Sequence, residues 1–171
     1  MRTVSLFIAT SLDGRITGPG ESLDWLFTDR DYGYKKFFKS IDTVIMGRKT
    51  FAIACTFENI PYAGKAKYVF THQQITTDVP GVKFILNDPS VFVRALKAKP
   101  GKKIWIVGGA EIVKVLLNAD LIDEIIMSVH PIILSEGIPL FSGIRNKSGW
   151  SLQKSKKFSS GLVQLTYMRK R

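Results

Sequence analysis

The sequence predicts one α/β domain over residues 1–171, with helices flanking a central mixed, mostly parallel sheet and an antiparallel hairpin at the end of the chain. Three observations favour this fold class. Apolar strand patterns without polar alternation, typical of strands buried on both faces, alternate with helical patterns. Two of these strands end in glycine, and residues 150–167 contain two more strand patterns joined around a Ser-Ser-Gly turn. The length of 171 residues is enough for one domain with a substantial core.

The first elements are a strand, a turn and a helix. Residues 3–10 read as a buried strand, and Asp13-Gly14 between apolar runs predicts a tight turn that Asp13 shapes. Thr28 is a favoured N-cap residue with acidic residues just after it, so a helix is expected from there to about Ser40. This helix would bury Tyr34, Phe37 and Phe38.

The rest of the chain alternates strands and helices. Further strands are expected at residues 43–47, 66–71, 82–86, 104–107 and 123–134. The connecting helices are expected after Phe51, from Asp88-Pro89 onwards and over residues 109–117. Pro131 cannot donate to a strand ladder, so it indicates an edge position or a bulge in the last of these strands.

Two of the strands end in glycine at the start of a helix. Gly108-Gly109 leaves free backbone N–H groups at the helix start, which favour anions and phosphate above all. The other strand ends at Gly47, and Arg48-Lys49-Thr50 follows with side chains that bind phosphate. If both strands are parallel, their ends share one sheet edge and predict a site for a dinucleotide. A turn that binds nothing is the alternative for a lone Gly-Gly, and the G-x-G-x-x-G fingerprint is absent.

Residues 44–51 and 106–111 resemble the two cofactor motifs of the dihydrofolate reductase superfamily, which includes the reductase domain of the bifunctional riboflavin-biosynthesis deaminase–reductase. The resemblance runs from Ser5 to about Phe141. It implies a dihydrofolate reductase-like three-layer α/β/α fold and NADPH as cofactor. The cofactor-binding residues that it implies are Ala9, Ile16, Gly47, Arg48, Lys49, Thr50, Thr71, His72, Gly108, Gly109, Ala110, Glu111 and Ile112.

Individual cofactor contacts also follow from the resemblance. Ala9 and Ile16 would flank the nicotinamide. In this functional interpretation, the loop after the first strand is mobile and covers the nicotinamide. Thr71 and His72 would join Arg48 and Lys49 in a pocket for the 2′-phosphate that favours NADPH over NADH. An exposed loop histidine is an equal alternative for His72.

The resemblance also implies one carboxylate that binds the substrate. Dihydrofolate reductases place it on the helix predicted here from Thr28, which implies Asp31 as the catalytic carboxylate and Asp29 as the second candidate. A capped helix with acidic residues in its first turn is the alternative. Partial burial of this carboxylate would raise its pKa and help it to deliver a proton.

Three other residues bear on the substrate. Ser128 would supply a hydroxyl that bonds the catalytic carboxylate and the substrate amino group, although a small polar strand residue is an equal alternative. His130 is interpreted as structural. Lys65 stands where dihydrofolate reductases carry an arginine that grips the folate tail, and lysine lacks the bidentate fork, so this position disfavours folate.

Composition and charge narrow the function classes. The net charge is +11, but lysines and arginines are scattered and only residues 168–171 form a cluster, which favours an anion-attracting surface over nucleic-acid binding. The single cysteine, Cys55, excludes an internal disulfide and a cysteine zinc cluster, so we expect no metal site and a reducing cytoplasm. No apolar run is long enough to cross a membrane, and the first residues read as a strand rather than a signal peptide.

Three functions remain open at this stage. The first is an NADPH-dependent reductase of a small heterocycle, a pyrimidine or a pteridine, most like 5-amino-6-(5-phosphoribosylamino)uracil reductase of riboflavin biosynthesis. No His-x-Glu with paired cysteines is present to form a deaminase. The second is a dihydrofolate reductase, and the third is a non-catalytic nucleotide- or nucleic-acid-binding module. The resemblance also implies a homodimer, because members of the superfamily are often dimers.

Overall fold

The computed structural model describes residues 1–56 and 61–170, so two residues of the expected loop at 59–65, Asn59 and Ile60, lie outside the described residues. The strands, in chain order, are β1 (Val4–Thr10), β2 (Ile41–Gly47), β3 (Ala66–Phe70), β4 (Val82–Ile85), β5 (Lys103–Gly108), β6 (Glu124–Val129), β7 (Trp150–Lys157) and β8 (Val163–Arg169). The α-helices are α1 (Tyr34–Ser40), α2 (Arg48–Ala54), α3 (Pro89–Ala98) and α4 (Ala110–Asn118).

The described strands form one eight-stranded sheet in the order β4-β3-β2-β5-β1-β6-β8-β7. The six strands from β4 to β6 in this order are parallel to their neighbours. The strand β8 is antiparallel to β6, and β7 is antiparallel to β8. The predicted mixed, mostly parallel sheet with an antiparallel carboxyl-terminal hairpin is therefore confirmed.

Helices cover both faces of the sheet. On one face, Val93 of α3 and Leu116 of α4 join a buried cluster with Leu6 and Ile106. The cluster on the other face contains Phe37 of α1 and Phe51 of α2 together with buried strand residues. Burial on both faces explains why the central strands lack polar alternation, since each fully buried Leu or Ile contributes about 1.5–3 kcal/mol.

Charged pairs hold the amino ends of the strands, opposite the edge where the glycine-terminated strands end. The buried guanidinium of Arg2 bonds Asp42 and lies 2.8 Å from the Thr43 hydroxyl. Lys97 pairs with Asp123, and Asp123 also accepts the Val4 N–H at 2.9 Å. These contacts fix the base of the sheet and leave the opposite edge for a ligand.

The first helix starts later than the sequence predicts. It begins at Tyr34 rather than after Thr28, because Tyr32 (φ +48°) and Gly33 (φ +85°) have left-handed backbone conformations that no α-helix contains. The Asp31 carboxylate accepts the N–H groups of Gly33 and Lys35 and closes this turn. The expected burial is also only partial, since Phe37 is buried but Tyr34 is exposed.

Two further boundaries differ from the prediction. The strand β6 ends at Val129 and not at residue 134, and it lies between β1 and β8, so Pro131 marks neither an edge nor a bulge. The ladder stops after the His130 N–H, which donates to Thr10, because proline has no N–H to continue it. The helix expected after Phe51 begins three residues earlier, at Arg48, directly after Gly47.

Candidate active site

The two glycine-terminated strands lie side by side at a topological switch point. Strand β2 leads through α2 to β3 on one side, and β5 leads through α4 to β6 on the other side. Open α/β sheets bind ligands in the crevice that such diverging connections leave at the carboxyl ends of the strands. Met46 pairs with Gly108 after a register shift at Ile45, so both glycine ends reach this crevice.

The glycine ends touch each other across the crevice. If a Cβ atom were added to Gly47, it would lie 3.6 Å from Ile112 Cγ1 and 3.9 Å from the Gly109 nitrogen. A Cβ atom added to Gly109 would lie 3.5 Å from Thr50 Oγ1. The peptide between Gly108 and Gly109 is cis. Gly109 is the N-cap of α4 and supplies no side-chain cap, so the leading N–H groups of that helix face the crevice.

The residues predicted to hold the 2′-phosphate lie at one end of this crevice. Arg48 and Lys49 are exposed at the start of α2, and Lys49 Nζ pairs with Glu21 at 2.9 Å. The buried Thr71 hydroxyl exchanges hydrogen bonds of 3.1 Å with the backbone of Gln73, whereas His72 is exposed. An open cavity of about 780 Å³ begins there; its lining residues are Gln73, Gln74, Ile75, Thr76, Phe84 and Leu86.

A second cavity, of about 400 Å³, opens between the carboxyl ends of β1 and β6 and the segment before α1. We call it the aromatic cavity. Its lining residues are Phe7, Ala9, Leu26, Phe27, Thr28, Arg30, Asp31, Tyr32, Tyr34, Ser128, His130 and Leu162. It brings together Ala9, Asp31 and Ser128, three residues that the sequence places far apart.

The structure separates the two acidic candidates. Asp31 lines the aromatic cavity, whereas Asp29 does not. Asp29 instead accepts a 2.7 Å hydrogen bond from the Tyr32 hydroxyl, which lowers the pKa of its carboxyl, and pairs with Arg30 at 3.1 Å. Asp31 is exposed, so the partial burial that would help it to deliver a proton is absent. Its Oδ1 lies 2.9 Å from the Lys35 nitrogen, so it also caps α1.

Ser128 is held by a side chain from the hairpin. It lies beside Ala9 on β1 and Gln164 on β8, and Gln164 Nε2 donates to Ser128 Oγ and to the Tyr32 carbonyl at 3.0 Å each. Within residues 1–56 and 61–170, no hydrogen bond joins Ser128 to Asp31. The sequence gives no signal for Gln164, because its partners are more than 30 residues away.

His130 orders one wall of the aromatic cavity. Its Nδ1 lies 3.2 Å from the Ser128 carbonyl, and its Nε2 accepts the Phe27 N–H at 3.3 Å, which together define the neutral imidazole with the proton on Nδ1. Burial lowers the pKa of His130 and favours the same neutral form. The structural role predicted for His130 agrees with these contacts.

The loop after β1 is fastened to residues 132–140. The Asp13 carboxylate accepts a hydrogen bond from the Ser11 hydroxyl, which is the main reason why its pKa falls to about 2, and further bonds from the N–H groups of Leu134 and Ser135. The Arg15 guanidinium donates to the carbonyl of Gly137 at 2.9 Å. The loop that carries Ile16 is therefore tied down, and Asp13 shapes it as predicted.

We expect Gly137→Ala to destabilise the protein by about 2 kcal/mol more than Gly14→Ala, because overpacking costs about 1–3 kcal/mol. A methyl group on Gly137 would overlap the carbonyl oxygen of Thr17, whereas one on Gly14 would meet no atom within 4 Å. Both glycines have positive φ angles, +108° and +74°, so the control shares the backbone strain. Denaturant unfolding measures both changes, and equal losses would show that the contact with Thr17 does not matter.

Comparison with known proteins identifies the family. A family model described as "RibD C-terminal domain" matches residues 2–164. The chain belongs to this family. It is 40% identical over 172 residues to the uncharacterized protein YwjB of Bacillus subtilis (strain 168), and the alignment covers 98% of both chains.

Solved structures agree with this membership of the RibD C-terminal domain family. A protein of Shewanella sp. PV-4 whose name links it to riboflavin biosynthesis superposes with a TM-score of 0.88 at 29% identity, over 99% of both chains. Dihydrofolate reductase from Enterococcus faecalis, solved with NADP(H), superposes with a TM-score of 0.73 at 20% identity, over 99% of this chain and 97% of that one. The dihydrofolate reductase-like fold is therefore confirmed.

The described residues contain neither a helix that could span a membrane nor a cluster of metal ligands. No helix in residues 1–56 and 61–170 is long and apolar enough to span a membrane. No three histidine, cysteine, aspartate or glutamate side chains in the same part of the chain come together as metal ligands.

Proposed function

We propose that this protein is an NADPH-dependent reductase that adds hydride to the C=N bond of a pteridine or to the corresponding imine of a pyrimidine-ribosylamine, most like 5-amino-6-(5-phosphoribosylamino)uracil reductase. One observation carries the proposal: the glycine ends of β2 and β5 meet at the switch point, and Ala9 at the end of the neighbouring β1 lines a cavity that also contains Asp31. This arrangement provides one place for a dinucleotide and an adjoining place for a flat ring.

The residues along the crevice fit a dinucleotide phosphate. The uncapped start of α4 offers the N–H groups of Ala110 and Glu111 to an anion, and the bare backbone of Gly109 leaves room for it beside Thr50. Arg48 and Lys49 supply positive charge at the outer end. NADPH, when bound, supplies the hydride, so the protein needs no nucleophile of its own.

The aromatic cavity suits a heterocycle of the pyrimidine or pteridine class. Its rings give a flat substrate apolar faces to lie on, and a carboxylate can accept a pair of N–H donors from the ring edge. We assign Asp31 to orient the acceptor ring and to assist protonation of the nitrogen as the adjoining carbon receives hydride. Ser128, which also lines the cavity, would bind the same ring.

A contact of Lys65 makes folate the second choice. Its ammonium group donates to the carbonyl of Ile41 at 2.8 Å and lies 4.4 Å from the centre of the Phe38 ring. A lysine held in this way is a poor substitute for an arginine that grips a folate tail. The substrate is therefore expected to be a pyrimidine, with dihydrofolate as the alternative. We further expect a homodimer in the cytoplasm.

The test is to follow NADPH oxidation by absorbance with 5-amino-6-(5-phosphoribosylamino)uracil and, separately, with dihydrofolate. The proposal predicts steady oxidation with the pyrimidine and slower or no oxidation with dihydrofolate. Oxidation with dihydrofolate alone would make the protein a dihydrofolate reductase. If neither substrate is turned over and the protein binds oligonucleotides in a salt-sensitive manner, it is a non-catalytic binding module.

A further inference from the structure

Gln164 controls the direction of a hydrogen bond in the aromatic cavity. One of its terminal atoms lies 3.0 Å from the Tyr32 carbonyl oxygen and 3.0 Å from Ser128 Oγ. A carbonyl oxygen can only accept, so this atom must be the amide nitrogen. The other terminal atom, Oε1, faces Gly33, because a Cβ atom added to this glycine would lie 3.7 Å from Oε1. The Ser128 oxygen therefore accepts a hydrogen bond from Gln164.

This contact leaves the Ser128 proton free for a ligand. A hydroxyl has one proton and two lone pairs, and Gln164 occupies one lone pair. Among the described residues, the Ser128 hydroxyl donates no hydrogen bond. The residue is buried and lines the cavity, so a bound ring is the available partner for this proton. The cavity thus presents a donor at Ser128 and a carboxylate acceptor at Asp31.

We propose that Gln164 is a positioning residue that makes Ser128 a hydrogen-bond donor, so that the cavity selects a ring with a carbonyl group where it faces Ser128, as in uracil, over a ring with an amino group there. The inference rests on the proposed function, because it takes the aromatic cavity as the substrate site. An amino group cannot accept the Ser128 proton. Binding such a ring would leave that proton unpaired in a buried place, which is costly.

Two small ligands test the proposal: 5,6-diaminouracil, with carbonyl groups at C2 and C4, and 2,4,5,6-tetraaminopyrimidine, with amino groups at both positions, each titrated at a pH where it is neutral. Calorimetric titration of the wild-type protein should give about tenfold tighter binding of the uracil, as expected for one unpaired buried donor. The measurement needs no turnover. It can therefore succeed or fail whether or not NADPH is oxidised in a parallel assay.

The decisive variant is Gln164→Glu. The new side chain has no N–H for the Tyr32 carbonyl, but its oxygens can accept, so Ser128 would donate its proton to it and present a lone pair to the cavity. The binding ratio should move toward the amino ligand by about tenfold or more. The added negative charge affects both neutral ligands alike and cancels in the ratio. Gln164→Leu, which makes no hydrogen bond, should bring the ratio close to one.

The matched control is Gln153→Glu, the same change at an exposed position of β7. It should keep the wild-type ratio, and thermal melting of each variant shows that it is folded. The proposal is overturned if the wild-type protein binds the two ligands equally or binds neither, or if Gln164→Glu keeps the wild-type ratio. A purely structural role for Gln164 would lower the stability without changing the ratio.

Discussion

Asp31→Asn is expected to lower kcat/KM for the pyrimidine about 100-fold or more, because charge-assisted hydrogen bonds contribute about 1.5–3 kcal/mol each. The asparagine amide would turn a donor toward ring N–H groups that are also donors. The fold should survive, because asparagine can still accept a hydrogen bond from Gly33 or Lys35 and is itself a good cap. Steady-state kinetics and thermal melting measure the two effects separately.

The matched control for this change is Asp29→Asn. Asp29 lies two residues away and is also exposed, but it does not line the aromatic cavity. Its pair with Arg30 is a surface contact, so kcat/KM should stay within about fivefold of the wild type. Equal losses in both variants, or a larger loss for Asp29→Asn, would contradict the assignment of Asp31.

Replacing Arg48 and Lys49 together with alanine is expected to raise the Michaelis constant for NADPH about 100-fold and that for NADH only slightly, since each charged contact to a phosphate contributes about 1.5–3 kcal/mol. Both residues stand at the outer end of the crevice, and only NADPH carries the 2′-phosphate that they would bind. The Lys49 pair with Glu21 is exposed and should exchange readily for a phosphate. The measurement is initial-rate kinetics with each cofactor.

A double variant with the same charge loss elsewhere is the control. Lys154 and Lys157 are exposed on β7, at the edge of the sheet farthest from β4, so replacing both with alanine should leave the two Michaelis constants nearly unchanged. Equal effects of the Arg48 and Lys49 changes on NADPH and NADH would reject the assignment of the 2′-phosphate. That result would still leave the crevice between the ends of β2 and β5 as a candidate dinucleotide site.

The features that the sequence predicts well are local or periodic. Residues 104–107 are apolar without alternation because β5 is buried on both faces, and Gly47 and Gly108 mark the strand ends because only glycine leaves the backbone bare there. The carboxyl ends of parallel strands share one edge, so the meeting of the two glycine ends could also be expected. The roles assigned to the site residues stay predictions.

The features that the sequence misses depend on contacts between distant residues. The start of α1 is set by the left-handed Gly33 and by hydrogen bonds to Asp31, and both compete with the helix that Thr28 would begin. The end of β6 depends on Pro131, but whether β6 is an edge strand depends on where β8 pairs. Gln164 bonds the cavity-lining Tyr32 and Ser128, and His130 bonds Phe27, through contacts that no local pattern identifies.

Titration of the folded protein with NADPH is the most direct test of the central claim that the ends of β2 and β5 hold one dinucleotide. The account predicts a saturable change in fluorescence and a higher melting temperature, because a ligand at 100 times its Kd stabilises the folded state by about 2.7 kcal/mol. The Arg48 and Lys49 double variant should require much more NADPH for the same shift. A folded sample that shows neither a fluorescence change nor a thermal shift at millimolar NADPH would contradict the claim.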